Sequence, residues 1–252
     1  MQLVERQPRR VTLTETGEQV VARARRILQE SEEIVSVAKR ERDPLSGKLK
    51  VAFIPTIGPY LLPGIAPAVR RALPHLKLLL YEFRTGPLLD RLRAGEIDLG
   101  ILALPVDQEG LEVRELFVEP FMVAVPSQSK LASRSSVGVN DLKEETLLLL
   151  EDGHCLRDQA LEICSRIDAR ESQDFRATSL ETLRQMVAAG LGVTLLPEMA
   201  VQSPFGNPRT LAVRPFTRPV PLRHVGAVWR RSSARVPAID AVCDAIVKAR
   251  KR

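Results

Sequence analysis

The segment Glu151-Asp152-Gly153-His154-Cys155-Leu156-Arg157-Asp158, followed by Cys164 nine residues after Cys155, carries the most reactive chemistry in this sequence. A leucine-rich strand, Leu147 to Leu150, runs into a turn, and a helix is expected to begin at or just before Cys155. Unpaired backbone N–H groups and the helix dipole at such a start favour a thiolate. His154, Arg157 and Asp158 are the near neighbours, and a cation beside a sulfur lowers its pKa from about 8.5. A thiolate that attacks peroxide becomes a sulfenic acid, which a second thiol traps as a disulfide. Cys164 is the natural trap. If residues 155–164 are helical, their end Cα atoms stand about 13 Å apart, whereas a disulfide tolerates roughly 7 Å. The pair then joins only by unwinding its own segment, which is how a switch behaves.

Three cysteines suit a reducing compartment better than a secreted disulfide scaffold. Cys243 falls in the apolar pattern of a terminal helix with Ile239, Val242 and Ile246, and reads as core. His75 and His224 have no Cys, Asp or Glu at ligand spacing, so no metal is expected, and no cofactor motif is present. The sequence has no Gly-rich phosphate loop, HExxH helix or GxSxG elbow. With 44% apolar and 27% charged residues among 252, the chain has a globular composition. The net charge of +6 permits a nucleic-acid partner without establishing one. With neither a signal peptide nor a membrane-length apolar run, the reading is cytoplasmic, with no membrane partner.

The elements that must position the thiols alternate strand and helix from Lys48 onward, the pattern of an α/β fold with mainly parallel strands. Strands are expected at 49–54, 76–83, 99–104, 121–125, 146–150, 192–196 and 225–229. Helices are expected at about 58–72, 87–94, 156–165, 179–189 and 237–248. Ahead of them, a short arm at 9–13 leads to a helix capped by Thr14 and running to about Arg42. On that helix Val20, Ala24, Ile27, Ser31, Ile34 and Ala38 form a narrow apolar seam, as in a dimerising coiled coil. Asp43-Pro44-Leu45-Ser46-Gly47 then makes a hinge. In open α/β sheets ligands sit beyond the carboxyl ends of strands. Four segments put a hydroxyl or thiol there: Thr56 after one strand, Thr85 after another, His154-Cys155 after a third, and Thr178-Ser179, opening a capping box through Glu181.

Thr12-Leu13-Thr14-Glu15-Thr16-Gly17 before the long helix, and Ala188-Ala189-Gly190-Leu191-Gly192-Val193-Thr194-Leu195-Leu196-Pro197, resemble LysR-type transcriptional regulators. Leu150 to Ala160, the spacing to Cys164, Phe175 to Arg184 and Ile54 to Pro63 are similar to the hydrogen-peroxide-sensing branch of that family. The resemblance spans about residues 3–250. It implies two Rossmann-like subdomains of periplasmic-binding-protein type, subdomain I over about 48–125 plus 208–252 and subdomain II over about 126–207. A linker helix and hinge over 14–47 and a winged helix-turn-helix remnant over 1–13 precede them.

The same resemblance implies a DNA-binding transcription activator in which peroxide drives a reversible Cys155–Cys164 disulfide, a homodimer or tetramer reorients, and RNA polymerase is recruited. A thiol reductant such as glutaredoxin resets it, with no cofactor and no enzymatic turnover. Residue by residue, Cys155 matches the peroxidatic cysteine and Cys164 the resolving one. Thr56 and Thr85 match threonines that hold peroxide, His154 a histidine beside the thiol, and Arg230 an arginine facing the thiolate. Arg157, Asp158 and Thr178 surround them. Asp174 departs, because relatives carry histidine there. The sequence opens inside the wing, so the resemblance leaves DNA recognition without its helix. Arg6, Arg9 and Arg10 are expected to touch phosphate, a contact that positions without specifying sequence. Two other readings are a LysR-type small-molecule receptor with incidental cysteines, and a thiol peroxidase.

Overall fold

The structure is a computed structural model that describes residues 2–7, 10–40, 43–165, 167, 170–202 and 209–250. Strands β1 (Val4–Gln7) and β2 (Arg10–Leu13) form an antiparallel hairpin with Val4 opposite Leu13. The Thr14 hydroxyl accepts from the Gly17 N–H at 3.0 Å and donates to the Gln2 carbonyl at 2.8 Å. One side chain thus caps helix α1 (Glu15–Arg40) and ties it to the hairpin. Along the seam Val20 is 36% and Ile27 66% exposed, and Ala24 and Ser31 are exposed too. The side chains of Ile34 and Ala38, and of Arg6, Arg9 and Arg10, lie outside the described residues.

Next come β3 (Gly47–Phe53), α2 (Gly58–Ala72), β4 (Leu76–Glu82), α3 (Thr85–Arg93) and β5 (Leu99–Leu104). β3 lies between β4 and β5 and is parallel to both. The long strand β6 (Leu111–Pro126) follows. After two 3₁₀ turns, Lys130–Ser133 and Val139–Leu142, come β7 (Thr146–Leu150), α4 (Cys155–Cys164) and β8 (Arg170–Ala177). The remainder is α5 (Leu180–Ala188), β9 (Thr194–Pro197), α6 (Glu198–Val201), β10 (Leu211–Pro215), β11 (Leu222–Arg230) and α7 (Val236–Arg250).

The main sheet has the order β10-β6-β11-β5-β3-β4, with β9 also on β6, and it is mixed rather than mainly parallel. β11 runs antiparallel to both β5 and β6, while β9 and β10 run antiparallel to the far half of β6. Sequence reading caught only Phe121–Val125 of β6, because its first half alternates apolar with charged residues. There Arg114 reaches across to Asp240 and Asp244 on α7, so charge serves packing on a half-solvated strand. β8 was not expected because it is polar, and β10 because Leu211-Ala212-Val213 is a short apolar run that ends at once in Arg214-Pro215.

Two apolar cores result. The first packs Val51, Phe53, Ile101 and Val228 of the sheet against Leu61, Ile65 and Val69 of α2, Leu88 and Leu92 of α3, and Ile239 and Ile246 of α7. The second gathers Phe121, Val123, Leu147 to Leu150, Leu156, Leu183 and Leu195. β6 contributes to both, since Leu111 and Leu116 sit in the first and Phe121 to Val125 in the second. Among the described residues no helix is long and apolar enough to cross a membrane, and no group of three or more His, Cys, Asp or Glu is placed to hold a metal.

Candidate functional site

Three strand ends converge on one small pocket. Ile54, Pro55 and Thr56 follow β3, Arg84 and Thr85 follow β4, and Gly153, His154 and Cys155 follow β7. The first two segments belong to the first core and the third to the second, yet Cys155 itself packs against the first core. The site is therefore split across the seam between the two cores. Gly153 makes the turn at φ +88°, a left-handed conformation that an L side chain occupies only under strain. That turn delivers His154 as the residue before α4 and Cys155 as its first residue.

No side-chain cap closes the first turn of α4, so its N–H groups and dipole act on whatever sits there. Cys155 is partly exposed and carries a free thiol, as do Cys164 and Cys243. His154 is 3% exposed, and its Nε2 has no hydrogen-bond partner. Glu151 Oε1 stands 4.0 Å away, too far for a bond. Burial, reinforced by the Arg84 charge, pulls its pKa below 6.5, so the ring is neutral at pH 7. The Thr85 hydroxyl is likewise buried without a partner. Two residues with unpaired buried polar atoms and one with a free thiol thus line the same pocket, and such atoms gain from a polar partner.

The cation of this pocket is not one of the two expected neighbours. His154 is neutral, and Arg157 turns away, placing Nε 2.9 Å from Asp152 and Nη1 2.8 Å from Glu171. Asp158 is exposed, with no place in the pocket lining. The pocket instead holds Arg84, which pairs with Glu151 and donates to the Asp152 carbonyl at 3.3 Å, joining the two sides of the seam. Thr178 is exposed and outside the lining as well. Ser179, not Thr178, caps α5, accepting from the Thr182 N–H at 3.2 Å. Glu181 closes no capping box, because its carboxylate accepts from Tyr60 at 3.0 Å and from Arg184 at 3.2 Å. Tyr60 belongs to α2, so this bond also crosses the seam; burial, aided by the Glu181 charge, raises the phenol pKa.

Arg230, expected to face the thiolate, is bound instead at the end of α3. Its guanidinium donates to the carbonyls of Leu92 at 2.7 Å and Ile97 at 2.9 Å, at and just beyond the end of α3, where the negative end of the dipole holds it. The β11 arginine that meets a pocket residue is Arg223, seven residues earlier and fully buried behind Thr56. It donates from Nη2 to the Thr56 hydroxyl at 2.7 Å and from Nη1 to the Thr56 carbonyl at 3.3 Å. Its cross-strand partner in the register is Glu119, also fully buried. The opposite charges of Glu119 and Arg223 were the available signal; it went unused because β6 was not expected to extend that far.

Cys164 lies at the far end of α4, 4% exposed in the second core, and burial pushes its thiol up to about 11. Cys243 is buried in the first core. The Asp174 side chain lies outside the described residues.

The neutral His154 makes a testable statement about stability. Its folded pKa is depressed, so as pH falls below about 6.5 the unfolded chain takes up a proton that the folded chain refuses. The folded state therefore loses stability toward acid through this residue. Comparing wild type with His154→Asn in urea melts at pH 7.5 and pH 5 isolates it from other titrating groups. The wild type is expected to lose more stability over that interval; equal losses would show that the ring is not held neutral.

An α/β frame with two cores and a small pocket where β3, β4 and β7 end is the architecture of a LysR-type substrate-binding domain. The sequence model of the LysR substrate binding domain matches residues 42–251, and the chain belongs to that family. Within it, the DNA-binding transcriptional dual regulator OxyR of Escherichia coli K12 is 42% identical over 244 residues, covering 97% of this chain and 80% of the relative. The crystal structure of the reduced form of OxyR superposes with a TM-score of 0.74 at 41% identity, over 82% of this chain and 97% of that one. The oxidised form gives 0.75 at 42%, over 83% and 98%. The three cysteine thiols of the present chain are free, and α4 is one continuous helix from Cys155 to Cys164.

Proposed function

We propose that this chain is the linker and sensing part of a hydrogen-peroxide-responsive LysR-type transcription regulator that works through a reversible Cys155–Cys164 disulfide. One observation carries the reading. A partly exposed thiol at an uncapped helix start shares a small pocket with two unpaired buried polar atoms, Thr85 Oγ1 and His154 Nε2, while a second free thiol waits at the other end of the same helix.

The Cys155 thiolate attacks one peroxide oxygen, the O–O bond breaks, and the departing hydroxide leaves as water after taking a proton. Cys155 is then a sulfenic acid. The Cys164 sulfur attacks Cys155 Sγ, forming the S–S bond and expelling a second water. Two thiols are oxidised by two electrons, and one peroxide is reduced to two waters. Thr56 and Thr85 hold the peroxide, and neutral His154 offers a ring nitrogen beside it. Each oxidation needs a separate reduction by a thiol reductant such as glutaredoxin, so the protein signals once per cycle and is not a peroxidase.

In this reading residues 48–125 and 208–252 form one subdomain and 126–207 the other. The seam of α1 dimerises, dimers pair into tetramers, and the β1–β2 hairpin is the wing of a DNA-binding unit, with Arg6, Arg9 and Arg10 toward phosphate. The protein acts in the cytoplasm, and reorientation of its subunits on DNA recruits RNA polymerase. The test of the sensing step is thiol mapping. After one equivalent of peroxide, alkylation and peptide mass analysis are expected to find Cys155 linked to Cys164 and Cys243 free. Finding all three free after full consumption of the oxidant would remove the proposal.

A further inference from the structure

The proposed peroxide site rests on Thr56, and the orientation of the Thr56 hydroxyl is decided behind the pocket. Thr56 is 2% exposed, and its oxygen accepts a hydrogen bond from Arg223 Nη2 at 2.7 Å. A guanidinium only donates, so this bond fixes the hydroxyl as an acceptor on its buried side. The hydroxyl's own proton is left to point elsewhere, and the pocket that Thr56 lines is the open direction. Arg223 thus turns Thr56 into a hydrogen-bond donor toward whatever lies beside Cys155.

Glu119 is the counter-charge beside Arg223: its Oε1 makes no hydrogen bond, and burial raises its pKa against the opposing pull of the Arg223 charge. Both side chains are fully buried, with Arg223 Nη1 3.8 Å from Glu119 Oε1. The other carboxylate oxygen accepts from the Met199 N–H at 2.9 Å, in the short helix α6. Glu119 lies on β6 just before Phe121, where that strand passes from the first core to the second. A buried guanidinium without its counter-charge is strongly unfavourable and moves toward any acceptor within reach.

We propose that Glu119 is a positioning residue for peroxide, acting through Arg223 to aim the Thr56 proton into the pocket. The proposal rests on the peroxide reading of that pocket. A positioning role predicts a selective defect. Peroxide must be aligned between the thiol and its donors, whereas iodoacetamide needs only the thiolate.

The experiment measures the second-order rate constants of Cys155 toward peroxide and toward iodoacetamide in the reduced full chain. It uses wild type, Glu119→Gln, Thr56→Val and the double variant. Glu119→Gln keeps the shape and an oxygen for the Met199 N–H while removing the charge. It is expected to slow peroxide by about tenfold, the loss that follows from one misaligned charge-assisted hydrogen bond, and to change alkylation by less than about threefold. In the Thr56→Val background the same substitution is expected to change the peroxide rate by less than about twofold, because the group it aims is gone.

Equal slowing of both reagents, an unchanged peroxide rate, or a full tenfold effect in the Thr56→Val background would each overturn the proposal. If Glu119→Gln does not fold by circular dichroism, the same rates are read on Glu119→Asp. That variant keeps the charge but falls one methylene short, and the same selective pattern is required of it. Should Thr56→Val alone leave the peroxide rate intact, it is the peroxide reading of the pocket that fails, an outcome distinct from failure of Glu119.

Discussion

Treated with peroxide, the Cys164→Ser chain is expected to stop at a sulfenic acid on Cys155 and to keep α4 protected from hydrogen exchange. The wild type is expected to lose that protection across residues 155–164. Both outcomes follow from the helix. Its ten residues place the two cysteines at opposite ends, with Cα atoms about 13 Å apart, and a disulfide requires roughly 7 Å or less. The bond cannot form while the helix persists, so oxidation and unwinding are one event in the wild type. They separate only when the second sulfur is removed.

The reverse variant, Cys155→Ser, should be nearly inert. Cys164 is buried, with its thiol pushed up to about 11. At pH 7 only about one molecule in 10⁴ would then carry a thiolate there. A drop of about three orders of magnitude in peroxide consumption is expected, read by the loss of free thiol over time. Exchange protection that survives in oxidised wild type, or rapid oxidation of Cys155→Ser, would sink the switch.

How much of this was legible before the structure depends on what kind of signal each part left. The β7 strand and its passage into α4 were readable because a run of leucines ends at Asp152-Gly153, and only a turn with a left-handed residue fits that change. Helices α2 and α7 declared themselves by apolar residues every three or four positions. What escaped is what charge conceals. The near half of β6 carries Glu112, Arg114, Glu115 and Glu119, and nothing in one dimension shows that Arg114 meets Asp240 and Asp244 on α7, or that Glu119 faces Arg223. Arg230 was matched through the resemblance, at the end of the expected 225–229 strand, and Arg223 lies ahead of that strand's expected start. The choice turns on alternation: strand neighbours point to opposite faces, and only the register with β6 and β5 settles which face carries a buried charge. The electrostatics beside Cys155 failed for a related reason, since sequence proximity made Arg157 a neighbour of the sulfur while helix geometry turned it toward Asp152 and Glu171.

That turned arginine sets how readily the switch moves. Arg157 is 8% exposed and binds Asp152 and Glu171, with its Nη1 also 3.5 Å from the Leu150 carbonyl. It thereby pins the first turn of α4 to the end of β7 and to β8, between the two cysteines in sequence. An unwound segment cannot keep all three contacts, so the clamp stabilises the reduced form selectively. Arg157→Met keeps most of the side-chain bulk and removes the donors. With Asp152 largely solvated and Glu171 only partly buried, about 2 kcal/mol is a reasonable loss for the reduced state. For a two-electron couple that lowers the midpoint potential by roughly 40 mV, making the disulfide harder to reduce. Closure of the sulfenic acid to the disulfide should quicken, while the first reaction of Cys155 with peroxide, which leaves α4 folded, should not change. Equilibration against glutathione buffers, with stopped-flow measurement of the two steps, reads both. A midpoint within about 10 mV of wild type would show that Arg157 holds the fold of this unit equally in both redox states and does not bias the switch.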